Sequence, residues 1–389
     1  MQNEITKMFD LEFPIFAFSH CRDVVAAVSR AGGMGVLGAV GHTPEALEID
    51  LAWIEDTLGD KPYGVDLVIP AQNSAEDSGP TTTSDLIKLI PAAHAQFVND
   101  ILARYEVPPL RPPTENTPKQ NPSDGTAQVG VDRLDAVPFS ANAAATQLEV
   151  ALAKRTAFVA NALGPPPAEM VAAVKSAGRK VGALAGRTSH AQAHERAGVD
   201  VIVAQGSEAG GHTGEIGSMV LIPEIVDATS VPVLGAGGIG RGRQMAAALA
   251  LGAQGVWCGS VWLTTDEAET HPAVKDKFLT ATSADTIRSR SLTGKPARML
   301  KSAWTEEWAR EDTPEPLPMP LQPILTAAAQ RRITRSAHQA GSGAEKLANY
   351  FVGQIVGNMN QRKSANAVVF EMIEEFIEAV NALQGQLDY

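Results

Sequence analysis

The run Val231-Pro232-Val233-Leu234-Gly235-Ala236-Gly237-Gly238-Ile239-Gly240-Arg241-Gly242 leads from an apolar strand through a glycine turn into a helix, and Gly255-Val256-Trp257-Cys258-Gly259-Ser260 follows it. Two architectures compete for this pattern. Residues 235–240 match GxGxxG, which in a Rossmann unit requires an acidic residue about twenty positions on to hold the ribose hydroxyls. The corresponding position here is Ser260, and only one further strand follows. The alternative is a barrel whose last two turns cup a phosphate, using backbone N–H groups, the positive end of a helix dipole, and extra donors from Gly259 and Ser260. The spacing favours the barrel.

Working outward, short strands rich in Val, Ile, Leu, Ala and Gly alternate with amphipathic stretches, the pattern of parallel strands buried on both faces and joined by helices. Strands are expected at Pro14 to Phe18, Met34 to Val40, Tyr63 to Ile69, Thr156 to Leu163, Lys180 to Gly186, Asp200 to Gly206, Val231 to Gly237 and Gly255 to Ser260. Helices are expected at Asp23 to Ala31, Pro44 to Leu58 and from Asp266 onward. Eight βα units predict a closed (β/α)8 TIM barrel rather than an open sheet.

After the third strand the rhythm breaks over residues 71–154. That insertion holds a helical stretch from Ser84 to Tyr105, a loop from Val107 to Gly125 dense in Pro and polar residues, and a helix ending near Lys154. The division expected is a barrel over residues 1–282 and a helical extension over 283–389 packed on it. The extension carries a Pro-rich stretch from Thr313 to Pro323 and helices at Ala344 to Met359 and Ala365 to Leu383, whose apolar faces need a partner.

Composition narrows the function. The 389 residues are 44% apolar and 20% charged, ordinary for a large globular chain, and 44 Asp+Glu against 32 Lys+Arg give a formal charge of −12. That acidity opposes nucleic acid as a partner. Cys21 and Cys258 lie in unrelated segments without CxxC spacing, so no disulfide framework or metal site is signalled. With no signal-peptide pattern and no apolar run of about 18 residues, the expected location is the cytoplasm. A small-molecule substrate is the expected partner, and self-association stays open.

The densest chemical signal is Ala204-Gln205-Gly206-Ser207-Glu208-Ala209-Gly210-Gly211-His212-Thr213-Gly214, at the end of the sixth strand. In a barrel this is the catalytic rim. Its glycines let backbone approach a ligand and set one imidazole amid exposed chain. His20 and Cys21, after the first strand, read as packing or pocket-lining residues. Asp66 interrupts the third strand as either a rim ligand or a structural acid. His42, His190, His194, His271 and His338 lack supporting neighbours and read as surface or capping residues.

With these segments in place the chain resembles the nitronate monooxygenase family, formerly the 2-nitropropane dioxygenases, which are FMN-dependent barrels. The resemblance covers Phe13 to Gly41, Tyr63 to Ile69, Ala157 to Pro165 and, almost continuously, Lys180 to Ser260. It echoes again at Thr293-Gly294-Lys295-Pro296-Ala297-Arg298, and the hallmark AQGxEAGGHxG stands intact from Ala204 to Gly214. It implies that Gln205 and Gly211 contact the flavin and that Gly237, Gly238, Gly259 and Ser260 hold its phosphate. His212 would sit over the ring as catalytic base or substrate-orienting group, with Ala17, Phe18 and Ser19 against the ring from the first strand. Asp66 takes the place where many relatives have Asn, and Ala17-Phe18-Ser19 replaces the usual Ala-Pro-Met.

The reaction so implied is oxidation of an alkyl nitronate with O2 to a carbonyl compound and nitrite, without a metal. One alternative is an NAD(P)H-dependent flavin reductase of enoyl thioesters or quinones on the same barrel, since fold does not fix chemistry. A second is a flavin-binding scaffold without catalysis, in which His212 is only a loop residue.

Overall fold

A computed structural model describes residues 1–69, 83–109, 141–162, 164–339 and 342–387. Its strands are β1 (Ile15–Ser19), β2 (Met34–Gly38), β3 (Tyr63–Leu67), β4 (Phe158–Asn161), β5 (Lys180–Ala185), β6 (Val201–Gln205), β7 (Gly211–His212), β8 (Val233–Ala236), β9 (Gly255–Cys258), β10 (Thr286–Ser289) and β11 (Ala297–Leu300). Eight of them close a parallel barrel in the order β1-β2-β3-β4-β5-β6-β8-β9. The ring shuts where β9 returns to β1, with Ile15 opposite Val256, Phe16 opposite Trp257 and Ala17 opposite Cys258. The fold is therefore a (β/α)8 barrel, as the alternation of strands and helices predicts.

Period two along each strand sorts the side chains into two layers. Phe16, Met34, Val36, Phe158, Val201, Val203, Leu234 and Trp257 fill the barrel, while Ile15, Ala17, Val65, Val159, Ile202 and Cys258 face the helices. The helix Glu4–Phe9, which the sequence reading did not anticipate, plugs the barrel's lower end with Ile5 and Phe9. Phe9 meets Phe16 and Phe158 edge-on at 5.6 and 5.5 Å. The interior is thus solid below, which leaves the C-terminal mouth as the place for a ligand.

The helices show where local propensity yielded to packing. The stretch expected as one helix from Ser84 to Tyr105 is two, Thr83–Lys88 and Ala92–Arg104, because Pro91 lacks an N–H and disfavours helix in the residue before it. The Pro-rich loop expected from Val107 lies, beyond residue 109, outside the described residues. The helix expected from Asp266 begins at Pro272 instead, with the His271 ring accepting from the Ala273 amide as its cap.

Two corrections concern the chain after β9. The helix expected from Ala344 to Met359 is broken into Ala344–Leu347 and the 3-10 turn Gln354–Asn358. Between them the chain is drawn out to pair Phe351 with Met299 of β11. A helix at Leu321–Ser336 forms where the sequence suggested only a Pro-rich approach. The residues after Ser283 are therefore not purely helical, since they supply β10 and β11.

The last helix, Ala365–Gln384, belongs to the barrel layer rather than to an appendage. It packs between Gly242–Ala250 and Arg22–Arg30 and sends Ala365, Val368, Val369 and Met372 into the outer core. It thereby fills the slot of the helix that should follow the eighth barrel strand. A Cβ on Gly242 would stand 2.0 Å from the Met372 carbonyl oxygen, so the two helices touch backbone to backbone there. Glu375 seals the contact, accepting from the Gly242 amide at 2.9 Å and from the Arg241 guanidinium. The segment between β9 and this helix joins the insertion after β3 in a second core, where Val98, Ile101 and Leu102 meet Phe278, Trp304, Trp308 and Ile333.

Gly242→Ala is expected to cost about 1–3 kcal/mol, the usual penalty for overpacking against a backbone that cannot yield. Thermal unfolding checks this: an unchanged Tm would show that the two helices are not in register at this point.

Candidate active site

The loop after β6 does not hang free. Gly211 and His212 form β7, which pairs antiparallel with β11, His212 opposite Ala297 and Gly211 opposite Arg298. Arg298 Nε donates to the Ser207 carbonyl at 2.9 Å, and Arg288 donates to the Thr213 carbonyl at 3.2 Å. Two guanidinium groups therefore hold the loop at both ends. Gly211 has φ +75 with open space where a Cβ would point, so the left-handed turn, rather than crowding, calls for glycine.

This frame orients the His212 imidazole. Its Nδ1 lies 3.2 Å from the Pro296 carbonyl oxygen. A carbonyl only accepts, so in the neutral ring Nδ1 carries the proton and Nε2 keeps a free lone pair. The ring is reachable by solvent, yet the surrounding chain desolvates its charged form and lowers its pKa. The Pro296 hydrogen bond opposes this, and the charge of Lys295 adds to it. Phe351 stands beside it, ring centres 6.4 Å apart.

The three glycine-bearing turns converge. Gly237 and Gly238 both take left-handed φ, at +100 and +68. A Cβ on Gly237 would sit 3.0 Å from the Gly206 carbonyl oxygen, and one on Gly238 would sit 3.2 Å from the Glu208 side chain. Ser260 Oγ accepts from the Gly353 amide at 2.8 Å, and the Gln354 amide donates to the Glu208 carbonyl at 2.9 Å. Gly237 and Gly238 also line a cleft of about 310 Å³ with Glu208, Ser218, Gln244 and Gln354. That cleft opens between the helices Ser218–Ala228 and Gly242–Ala250 and does not reach His212 or Asp66.

The segment Tyr350 to Gln354 was missed by sequence reasoning. It threads between the β6 loop and Ser260, and only a glycine fits at 353, where a Cβ would lie 2.6 Å from the Glu208 carbonyl oxygen. A single Gly-Gln pair among apolar residues was its sole signal.

The remaining expected residues divide by face. Phe18 turns into the barrel and stacks on Trp257 at 5.9 Å, and Gly259 lies against it, a Cβ there falling 3.7 Å from its ring. Ala17 is fully buried with its methyl toward the helices, so only its backbone can reach the mouth. Ser19 is partly occupied, its hydroxyl accepting from the Cys21 amide at 3.1 Å. Gln205 ends the inward row begun by Val201 and Val203. Asp66 also points inward, buried, with Oδ2 lacking any partner among the described residues.

Other polar residues have structural tasks. His20 Nδ1 meets the Gly38 carbonyl at 2.9 Å. Burial pushes the thiols of Cys21 and Cys258 up to about 12, so neither is a nucleophile. Cys21, Asp23 and Glu269 bring possible ligand atoms within 4.8 Å of one another, but the protonated thiol is directed at the Glu267 carbonyl. His42 and His194, expected as surface or capping residues, are buried. His42 bonds Asp50 at 3.0 Å and His194 bonds the Leu184 carbonyl at 2.9 Å. Burial alone would raise the Asp50 carboxyl, yet His42 and Arg22 hold it below its usual range.

Residues 3–375 match the model of the nitronate monooxygenase family. Rv1533 of Mycobacterium tuberculosis, which carries the name of a monooxygenase, is 54% identical over 99% of both chains. A Staphylococcus aureus (strain Newman) protein named as a nitronate monooxygenase is 28% identical over 91% of both. The structure of nitroalkane oxidase from Streptomyces ansochromogenes superposes with a TM-score of 0.75 at 26% identity, over 98% of this chain and 100% of that one. FabK from Thermotoga maritima gives 0.70 at 25% identity over 99% of each. No helix among the described residues is long and apolar enough to cross a membrane. The chain belongs to the nitronate monooxygenase family and is a flavin-dependent oxidoreductase.

Proposed function

We propose that the barrel mouth binds FMN and that the protein oxidises alkyl nitronates with O2 to a carbonyl compound and nitrite. The observation that carries this reading is the single-tautomer imidazole of His212, held by the Pro296 carbonyl beside three converging glycine turns. The residues fit the cofactor. Gly237 and Gly238 take left-handed φ in the turn between β8 and the helix Gly242–Ala250; Gln244 and Glu375 occupy that helix's first amides, so the glycine turn itself is the setting for a phosphate, with Gly259 and Ser260 in the turn after β9. Phe18, Gln205 and Asp66 line the mouth where a ring would lie, with Asp66 Oδ2 and the Thr213 hydroxyl both buried and unpartnered among the described residues. Bound there, FMN supplies the electron acceptor.

The chain's own part is acid–base and electrostatic. Neutral His212 presents Nε2 as a base for the α-proton of a nitroalkane, or as a polar contact for the nitronate once formed. Lys295, near enough to lower the imidazole's pKa, and the neighbouring Arg288 and Arg298 give the loop a cationic side that suits an anionic substrate. Similarity to nitroalkane oxidase and to a nitronate monooxygenase supports the same substrate class.

Anaerobic mixing is the decisive experiment. The purified protein should carry or take up FMN, and ethyl or propyl nitronate should bleach it without NADH or NADPH. Bleaching by a pyridine nucleotide alone would favour the reductase reading, and failure to bind flavin would end both.

His212→Ala should lower kcat/KM for a neutral nitroalkane by about 10²–10⁴-fold, the usual worth of a positioned base. The loss should be smaller for the preformed nitronate. Equal rates in wild type and variant would identify a scaffold without chemistry.

The pH profile supplies a third test. A base must be deprotonated to act, and desolvation by the surrounding chain lowers the His212 pKa from 6.5. Nitroalkane turnover should therefore hold its plateau to a pH below 6.5 before falling on the acid side. A fall centred above 6.5 would contradict the assignment.

A further inference from the structure

Asp66 is a carboxyl in an unusual place. It stands fourth in β3, near the strand's mouth end, and points into the barrel between Gly38 of β2 and Ala160 of β4, its register partners. Both neighbours are small, and neither offers a side-chain donor. The residue is buried, and Oδ2 has no hydrogen-bond partner among the described residues. His20, just after β1, turns Nδ1 to the Gly38 carbonyl. Among the described residues no charged group acts on the carboxyl, and desolvation raises its pKa well above the ordinary range.

An ionised carboxylate has only acceptor sites, and burying one without donors costs several kcal/mol. The protonated acid is the cheaper form, and it gains an O–H donor. We propose that Asp66 acts as a neutral carboxylic acid that donates a hydrogen bond from the barrel wall to the bound flavin ring, a specificity contact that Asn would imitate and a carboxylate would not. This rests on the flavin reading of the mouth given above.

The test uses apo-protein and FMN alone, without turnover. Wild type, Asp66→Asn and Asp66→Leu are titrated with FMN by flavin fluorescence from pH 6 to 9, and thermal unfolding of each apo-protein is followed from pH 4 to 9. At pH 6, Asp66→Asn should bind FMN within about twofold of wild type. Asp66→Leu should bind roughly fivefold or more weakly, the worth of one neutral hydrogen bond. Wild-type affinity should fall toward alkaline pH as the acid ionises, while that of Asp66→Asn stays flat.

The sign of the stability effect follows from the same state. Asp66 is ionised in the unfolded chain at neutral pH and protonated in the folded one, so folding takes up a proton and loses stability as pH rises from about 4 toward the folded pKa. Asp66→Asn should therefore have the higher Tm at pH 7, with the difference vanishing near pH 4. Equal FMN affinity in all three proteins, or a wild-type Tm with no such pH-dependent deficit, overturns the proposal. If wild type and both variants all fail to bind FMN, the flavin reading falls and this proposal falls with it.

Discussion

Three stretches of backbone meet at the rim with almost nothing between them, and the molecule depends on their being able to do so. Gly206, Gly210, Gly237 and Gly353 come from the loop after β6, the turn after β8 and the segment that follows β11. Added Cβ atoms would fall between 2.6 and 3.2 Å from neighbouring backbone or side-chain atoms. Side chains there would force these pieces apart and strain the hydrogen bonds between them. With the glycines in place, peptide groups and the Ser260 hydroxyl pair directly, and Gly237 and Gly238 pack closely on the loop after β6.

The second core serves that meeting. Trp304, Trp308, Phe278 and the helix Ala92–Arg104 do not touch the proposed flavin site, but they fix β10 and β11, and β11 fixes β7. His212 thus sits on a short strand instead of a loose loop, and its tautomer is set by a carbonyl from the neighbouring turn. The chemistry of an exposed imidazole is determined by packing some distance away. The insertion after β3 contributes to the same core, which gives a structural reason for its apolar helix.

The barrel was legible because its strands are short, apolar and regularly spaced, and because Ser260 stands where a Rossmann acid belongs. The rim residues were legible as glycine-rich turns at strand ends. What escaped the sequence was set by contacts far along the chain. Nothing local makes Ala348 to Phe351 extended; pairing with Met299 does. Nothing local marks Gly353 as part of the site, and the helix Glu4–Phe9 gave too short a pattern to separate from an ordinary amino terminus. Ala17 shows the limit of carrying a role by position: the strand is right, but alternation turns its methyl to the outer layer. His42 and His194 looked idle because their partners, Asp50 and the Leu184 carbonyl, lie across other elements.

The helix Ala365–Gln384 completes the barrel wall only after everything from Ser260 to Ser364 has been laid down elsewhere. Until it docks, the faces of Arg22–Arg30 and Gly242–Ala250 border an unfilled apolar furrow. Long-range closures of this kind are reached late and slowly, because chain entropy must be lost before the contacts repay it. Any state in which this helix is undocked leaves that furrow open as an apolar seam, the kind of surface to which other chains adhere.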